Sequence, residues 1–125
     1  MDWTTIKYFV PIGQELLIGK DWNGNNVYRK MLEGYITISA NQRFTIEMSN
    51  VERVYDVKGF ISDSTVFNAD ILICSTYIGG SGSPTVQSGA LLERNNKKLK
   101  IYGISTAALD YCYYRILVDY VKPNS

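Results

Sequence analysis

Apolar and polar residues alternate with a period of two along one segment of this chain after another, and turn residues recur between the segments. That is the pattern of short, half-buried β-strands. Residues 6–10 and 15–20 read as two strands joined by a bend at Pro11 and Gly13, and residues 27–38 as a long strand bent at Gly34. Phe44, Ile46 and Met48 alternate with Arg43, Thr45 and Glu47, which predicts a one-sided strand. Tyr55, Val57, Gly59 and Ile61 share the next apolar face, with Asp56 and Lys58 opposite. Residues 69–78 form a nearly continuous apolar run, which predicts a central strand covered on both faces. The clearest segment is the last. Cys112, Tyr114, Ile116, Val118 and Tyr120 fall on one face, while Tyr113, Arg115, Leu117, Asp119 and Val121 fall on the other.

The breaks between these segments are equally specific. Asn23-Gly24 carries the positive-φ preference of a two-residue type I′ turn, so residues 20–30 read as a tight hairpin. Asn95-Asn96-Lys97 marks a second hairpin between residues 90–94 and 99–104. Gly79-Gly80-Ser81-Gly82-Ser83-Pro84 reads as a flexible surface loop. Residues 41–47 are the main helix candidate, opposed by their β-branched members, and residues 105–110 have room for one helical turn. No internal repeat or heptad pattern occurs. Short strands with hairpin punctuation and no βαβ spacing predict an all-β fold, an antiparallel β-sandwich of jelly-roll-like type. With 125 residues, one domain spans 1–125, residues 1–14 being available as an N-terminal attachment arm.

Ten Tyr against four Phe and two Trp strengthen the strand reading, because aromatic rings fit a pleated surface. Tyr is also enriched where one end of a ring stays wet, as at interfaces and recognition surfaces. Thirteen Lys/Arg against twelve Asp/Glu leave a formal charge of +1, which gives no electrostatic footprint for nucleic acid. No apolar run approaches the roughly 20 residues of a membrane span, so no membrane insertion is expected. The start Met1-Asp2-Trp3 lacks the basic segment and apolar stretch of a secretory signal, and synthesis in a cytoplasm is the corresponding expectation. Cys74 and Cys112 sit in apolar patterns, where free cysteine packs as a small hydrophobe. Two buried thiols are expected, with a disulfide as the alternative. Two distant thiols without any His are a poor metal set, so neither metal nor cofactor is expected.

The absence of His removes both Ser-His-Asp and Cys-His nucleophilic arrangements. Gly80-Ser81-Gly82 lacks the third glycine and the Lys of phosphate-binding loops. A carboxylate pair is the one catalytic arrangement that residue types leave open, and Asp63, Asp70, Glu93 and Asp110 lie near expected loops or strand ends. Exposed acids also keep strand edges soluble, and that is the favoured reading here. Aromatics are the stronger candidates for binding. Tyr77, beside the Gly-rich segment, and Trp3, near the terminus, are the expected recognition residues, Trp3 having subunit or core contact as its other use. Trp22 is expected to pack across its hairpin against Tyr28, with sugar stacking as the other use of its ring. Alternation places Arg29 and Lys30 on opposite sides of their strand, which suggests an edge charge and an interchain ion pair.

The hairpin residues Trp22, Asn23, Gly24, Tyr28, Arg29 and Lys30 also carry a resemblance. A Trp, then Asn/Asp-Gly, then Tyr-Arg-Lys four residues after the Gly resembles the opening signature of small all-β domains in tailed-bacteriophage fibre and appendage proteins. Tyr114 to Lys122 resembles the closing strand of the same domains, which finish in a Tyr-x-Lys element, here Tyr120-Val121-Lys122. The match departs from the family pattern where Trp22 stands one residue closer to the Gly, Asn23 replaces Asp and Asn25 replaces Lys. The resemblance implies a β-sandwich displayed on a virion, usually as a homotrimer held to other fibre or capsid proteins. It implies a non-enzymatic tail- or head-fibre tip or decoration domain, contributing to host-surface attachment or appendage assembly, with a host-surface glycan as a further partner. A soluble carbohydrate-binding module is the alternative, and a carboxylate-dependent glycan hydrolase ranks below it.

Overall fold

The computed structural model describes residues 13–78 and 85–123. Among them nine strands and no helix occur: β1 (Glu15–Lys20), β2 (Asn26–Ile38), β3 (Arg43–Ser49), β4 (Arg53–Asp63), β5 (Ala69–Leu72), β6 (Thr76–Ile78), β7 (Thr85–Glu93), β8 (Lys98–Ser105) and β9 (Leu109–Val121). They form a five-stranded sheet in the order β1-β2-β9-β4-β5 and a four-stranded sheet in the order β3-β8-β7-β6. Every neighbouring pair is antiparallel. The strand and loop expected at residues 6–10 and 79–84 lie outside the described residues, as does Trp3.

Alternation explains how the two sheets share one core. Phe44, Ile46 and Met48 of β3 and Leu99 and Ile101 of β8 meet Ile38, Ile61, Cys112, Ile116, Val118 and Tyr120 of the other sheet in a single buried cluster. Each fully shielded aliphatic side chain there contributes about 1.5–3 kcal/mol relative to exposure. The all-β, antiparallel, sandwich-like arrangement expected from periodicity is therefore present. β3 shows the cleanest alternation, Phe44, Ile46 and Met48 being buried while every residue between and beside them is exposed.

Four local expectations need correcting. Residues 69–78 are not one central strand: β5 and β6 are short edge strands of different sheets, with a turn at Ile73-Cys74 between them. Cys74 takes a left-handed φ of 61° at that crossing and is exposed, so only Cys112 is the expected buried thiol; both are free. A bulge in β4, between Val54 and Asp56, turns Tyr55 away from the Val57 and Ile61 face into solvent. Gly34 does not bend β2, whose pairing with β9 runs through Gly34 and Tyr114 without a shift. A Cβ at Gly34 would stand 2.8 Å from the Tyr114 hydroxyl, so the glycine admits a ring and not a kink.

Candidate functional site

The outer face of the five-stranded sheet carries the most distinctive side chains. Register lines them up in rows across the strands. Tyr35 of β2 lies opposite Tyr113 of β9, which lies opposite Ser62 of β4. The next row is Glu33, Arg115, Phe60 and Leu72, and the one after it Met31, Leu117 and Lys58. Arg29, Asp119 and Asp56 form a fourth row. One end of this face is thus aromatic and the other ionic.

Tyr111 completes the aromatic end through a second bulge. Ile36 pairs with Cys112 and Ile38 with Leu109, so Asp110 and Tyr111 together oppose Thr37. Tyr111 adopts φ 55°, a left-handed conformation that costs a bulky non-glycine residue energy. The backbone N–H of Tyr111 donates to Thr37 Oγ1 at 3.4 Å. Its ring stacks on Tyr35 with centroids 4.9 Å apart and planes 25° from parallel. Tyr113 meets Tyr35 edge-on at 5.4 Å, and Phe60 lies 6.5 Å from Tyr113. Tyr35 and Tyr111 nevertheless remain 61% and 74% exposed. A strained backbone therefore holds a wet ring stack where burial gains little.

Polar contacts fix the inner edge of this stack. The Tyr113 hydroxyl donates to Glu33 Oε1 at 2.5 Å and accepts from Arg115 Nε at 3.0 Å. Hydrogen bonding to the Glu33 carboxylate, aided by desolvation, pushes the Tyr113 hydroxyl above the ordinary phenol pKa. The Arg115 guanidinium also lies 5.6 Å from the centre of the Tyr113 ring. Further along the face, Arg29 forks onto Asp119 with Nε and Nη2 bonds of 2.7 and 2.9 Å. Arg29, for which the expected roles are an edge charge or an interchain ion pair, is paired within the chain across the β2–β9 ladder.

The hairpin residues lie elsewhere and behave differently from expectation. Gly24 N–H donates to Asp21 O at 3.0 Å and Asp21 N–H to Asn25 O at 2.9 Å, enclosing a three-residue loop of Trp22, Asn23 and Gly24. Only Gly24 has a positive φ, 83°, so the two-residue type I′ turn is replaced by a turn ending in a left-handed glycine. Asp21 Oδ1 accepts from the backbone N–H groups of Asn23 and Asn25, and the Tyr55 hydroxyl donates to Oδ2 at 2.8 Å. Trp22 does not pack on Tyr28; it is 91% exposed at the loop tip. Tyr28 instead faces the core, 6.2 Å from Tyr120, with Lys122 Nζ 4.2 Å from its ring centre. Lys30 sits beside Glu15, its partner in the β1–β2 ladder.

Tyr77 is half-exposed, as expected for a surface ring, but its edge packs on Phe67 at 5.6 Å and it stands apart from the tyrosine stack. The four acids scatter. Asp63 points into the core side and Asp70, paired with Ser62, to the outer face of the same sheet. Glu93 belongs to the other sheet, where Lys100 binds it at 3.1 Å, and Asp110 is exposed in the β9 bulge. Among the described residues no group of three or more His, Cys, Asp or Glu could hold a metal ion, and no helix is long and apolar enough to cross a membrane.

Tyr35, Tyr111 and Tyr113 are the residues that reading the chain missed. Period two places Tyr113 on the outer face, but only the β2–β9 register brings it to Tyr35, and only the bulge adds Tyr111. The available signal was the run Tyr111-Cys112-Tyr113-Tyr114, too many rings for one inward face. Chemically, a flat stack of wet rings beside a carboxylate and a guanidinium can cover the apolar face of a sugar ring and hydrogen-bond its hydroxyls. Comparison with protein-family models, with curated proteins and with solved structures returned no match to this chain.

Proposed function

We propose that this chain is a non-enzymatic adhesion domain of a tailed-bacteriophage virion, a tail- or head-fibre tip or decoration domain, and that its tyrosine stack meets a glycan on the host surface. The observation that carries the binding role is Tyr111, held at φ 55° against Tyr35 with most of its ring in water. Strain of this kind persists where a surface shape is needed. The virion assignment rests on the hairpin motif, which runs from the β1–β2 loop into β2, and on the closing-strand motif of β9, at the centre of the five-stranded sheet. The nested pairing of β2 with β9 and of β3 with β8 supports reading the sandwich as jelly-roll-like. Three copies around a fibre axis, attached to other virion proteins after synthesis in the host cytoplasm, would let weak glycan contacts add through avidity.

The tyrosine stack equally suits a soluble carbohydrate-binding module, and assembly separates the two readings. Sedimentation of the purified chain should give a stable homotrimer; a monomer at every concentration favours the module. For the binding role, a glycan array probed with the chain should give signals that Tyr35→Ala and Tyr111→Ala each reduce by about tenfold or more, with folding unchanged by circular dichroism. Array signals indifferent to both substitutions would remove the stack from the account.

A further inference from the structure

The opposite outer face, that of the four-stranded sheet, holds a second arrangement of a different chemical kind. Arg43, Ile104, Gln87 and Thr76 form one row across β3, β8, β7 and β6, and Tyr102 and Gly89 stand opposite one another in the next. Glycine at position 89 leaves a gap in the surface between side-chain-bearing neighbours. A Cβ there would meet nothing within 4 Å, and the six residues line a trough of about 360 Å³. That volume lies within the range of small-molecule sites. Tyr102 walls one side, and the Arg43 guanidinium lies 5.1 Å from its ring centre.

Charge on this face is unevenly matched. Glu47 is taken by Lys98 and Lys100, at 3.4 and 3.9 Å, and Glu93 by Lys100 at 3.1 Å. No carboxylate of the described residues pairs with Arg43, whose cation rests on the Tyr102 ring alone. A guanidinium at the trough with no carboxylate partner among the described residues is suited to a planar or tetrahedral anion.

We propose that the trough over Gly89 is a binding site for an anionic saccharide unit. Arg43, held on the Tyr102 ring, takes the charged group, and Gln87 and Thr76 hydrogen-bond the sugar hydroxyls. The site does not depend on the tyrosine stack, which lies on the other sheet. Because Arg43 is exposed, its ion pair is weakened by water, and affinity falls in the millimolar range.

The test is a titration of the full, ¹⁵N-labelled chain with trigalacturonate, with its neutral methyl ester and with mannose 6-phosphate, followed by amide shifts. At millimolar concentration one or both anionic probes should move the amides of Gly89, Tyr102 and Ile104, and added salt should reverse the effect. Which anion does so distinguishes a carboxylate ligand from a phosphate ligand. Arg43→Gln should weaken binding by about tenfold, and Gly89→Val should block it by filling the trough. Position 89 suits a β-branched residue, since its pairing with Tyr102 is in regular register and its Cβ has open space. The proposal is overturned if the neutral ester binds as well as the acid, if Arg43→Gln changes nothing, or if no amide of the trough moves with either anion. Shifts confined to Tyr35 and Tyr111 overturn it too, while supporting the stack on the other face.

Discussion

Two loops of this molecule are built around an aspartate that gathers backbone N–H groups, and they put that device to opposite uses. Between β1 and β2, Asp21 accepts from the N–H groups of Asn23 and Asn25, and the loop carries Trp22 into solvent. After β4, Asp63 accepts from the N–H groups of Thr65, Val66 and Phe67 and from the Thr65 hydroxyl. That loop turns Phe67 inward onto the core, and Asp63 itself is 2% exposed. The local chemistry is the same side-chain mimic of a turn in both places. Solvent sets the difference: a hydrogen bond exchanged with water is nearly neutral, whereas a buried donor left without its acceptor is costly.

Asp63→Ala is therefore the largest expected effect. Removing this buried carboxylate takes the shared acceptor from three backbone N–H groups of a part-buried loop and should cost about 2–4 kcal/mol in denaturant unfolding. Burial opposes ionisation of Asp63, but the Phe67, Thr65 and Val66 donors outweigh it and hold the carboxyl below its ordinary value of 3.8. A folded pKa below the unfolded one contributes stability that is complete above the unfolded value and is lost as pH falls through the folded value. The stability difference between the wild type and Asp63→Asn should accordingly be level near neutrality and shrink below pH ~4. A difference that stays constant down to strongly acid pH would separate Asp63 from the loop it is argued to hold.

Next comes Gly24→Val, at about 1–3 kcal/mol, because a β-branched side chain resists the left-handed φ of 83° that closes the exposed loop. The penalty here is backbone strain alone, since a Cβ at Gly24 would meet nothing within 4 Å. Gly24→Ala should lose less than Gly24→Val, and Gly24→Asn least, as Asn tolerates that conformation best. Equal losses from all three in thermal melts would show that something other than φ matters at this position.

Asp21→Ala should sit below both. Desolvation raises the Asp21 pKa, yet bonds from Asn25, Tyr55 and Asn23 bring it below the ordinary value. Trp22, Asn23 and Gly24 of its loop are exposed, so the melting temperature should fall by clearly less than in Gly24→Val. A loss rivalling Asp63→Ala would erase the contrast between the loops.

The same contrast shows what reading the chain can and cannot reach. Strand existence was legible wherever one face is buried: β3, β8 and β9 alternate because their inward residues share a core. Residues 69–78 were not, because an apolar run says nothing of the Cys74 turn that carries the chain from one sheet to the other. The hairpin at Gly24 was legible as a turn, but its loop length depends on Asp21, whose side chain competes for the N–H groups of the turn. The tyrosine stack was hidden for a deeper reason. Tyr35 and Tyr113 meet through register between distant strands, and a one-residue bulge that no local propensity announces brings Tyr111 to them.

Trp22→Ala is the smallest expected effect and tests the exposed half of the comparison most directly. No ring or cation contact involves Trp22 among the described residues, and at 91% exposure it has almost no buried surface to lose. The melting temperature should stay within measurement error, whereas an aromatic residue buried in a core costs about 3–5 kcal/mol on truncation. In a Trp3→Phe background, Trp22 fluorescence should emit as a water-exposed indole and be quenched by iodide almost as readily as free tryptophan. On assembly or on ligand binding, blue-shifted and protected emission would mean that this loop tip is itself covered in the working state. Blue-shifted emission from the isolated chain would instead mean that Trp22 packs as Phe67 does, and that the two aspartate loops are built alike.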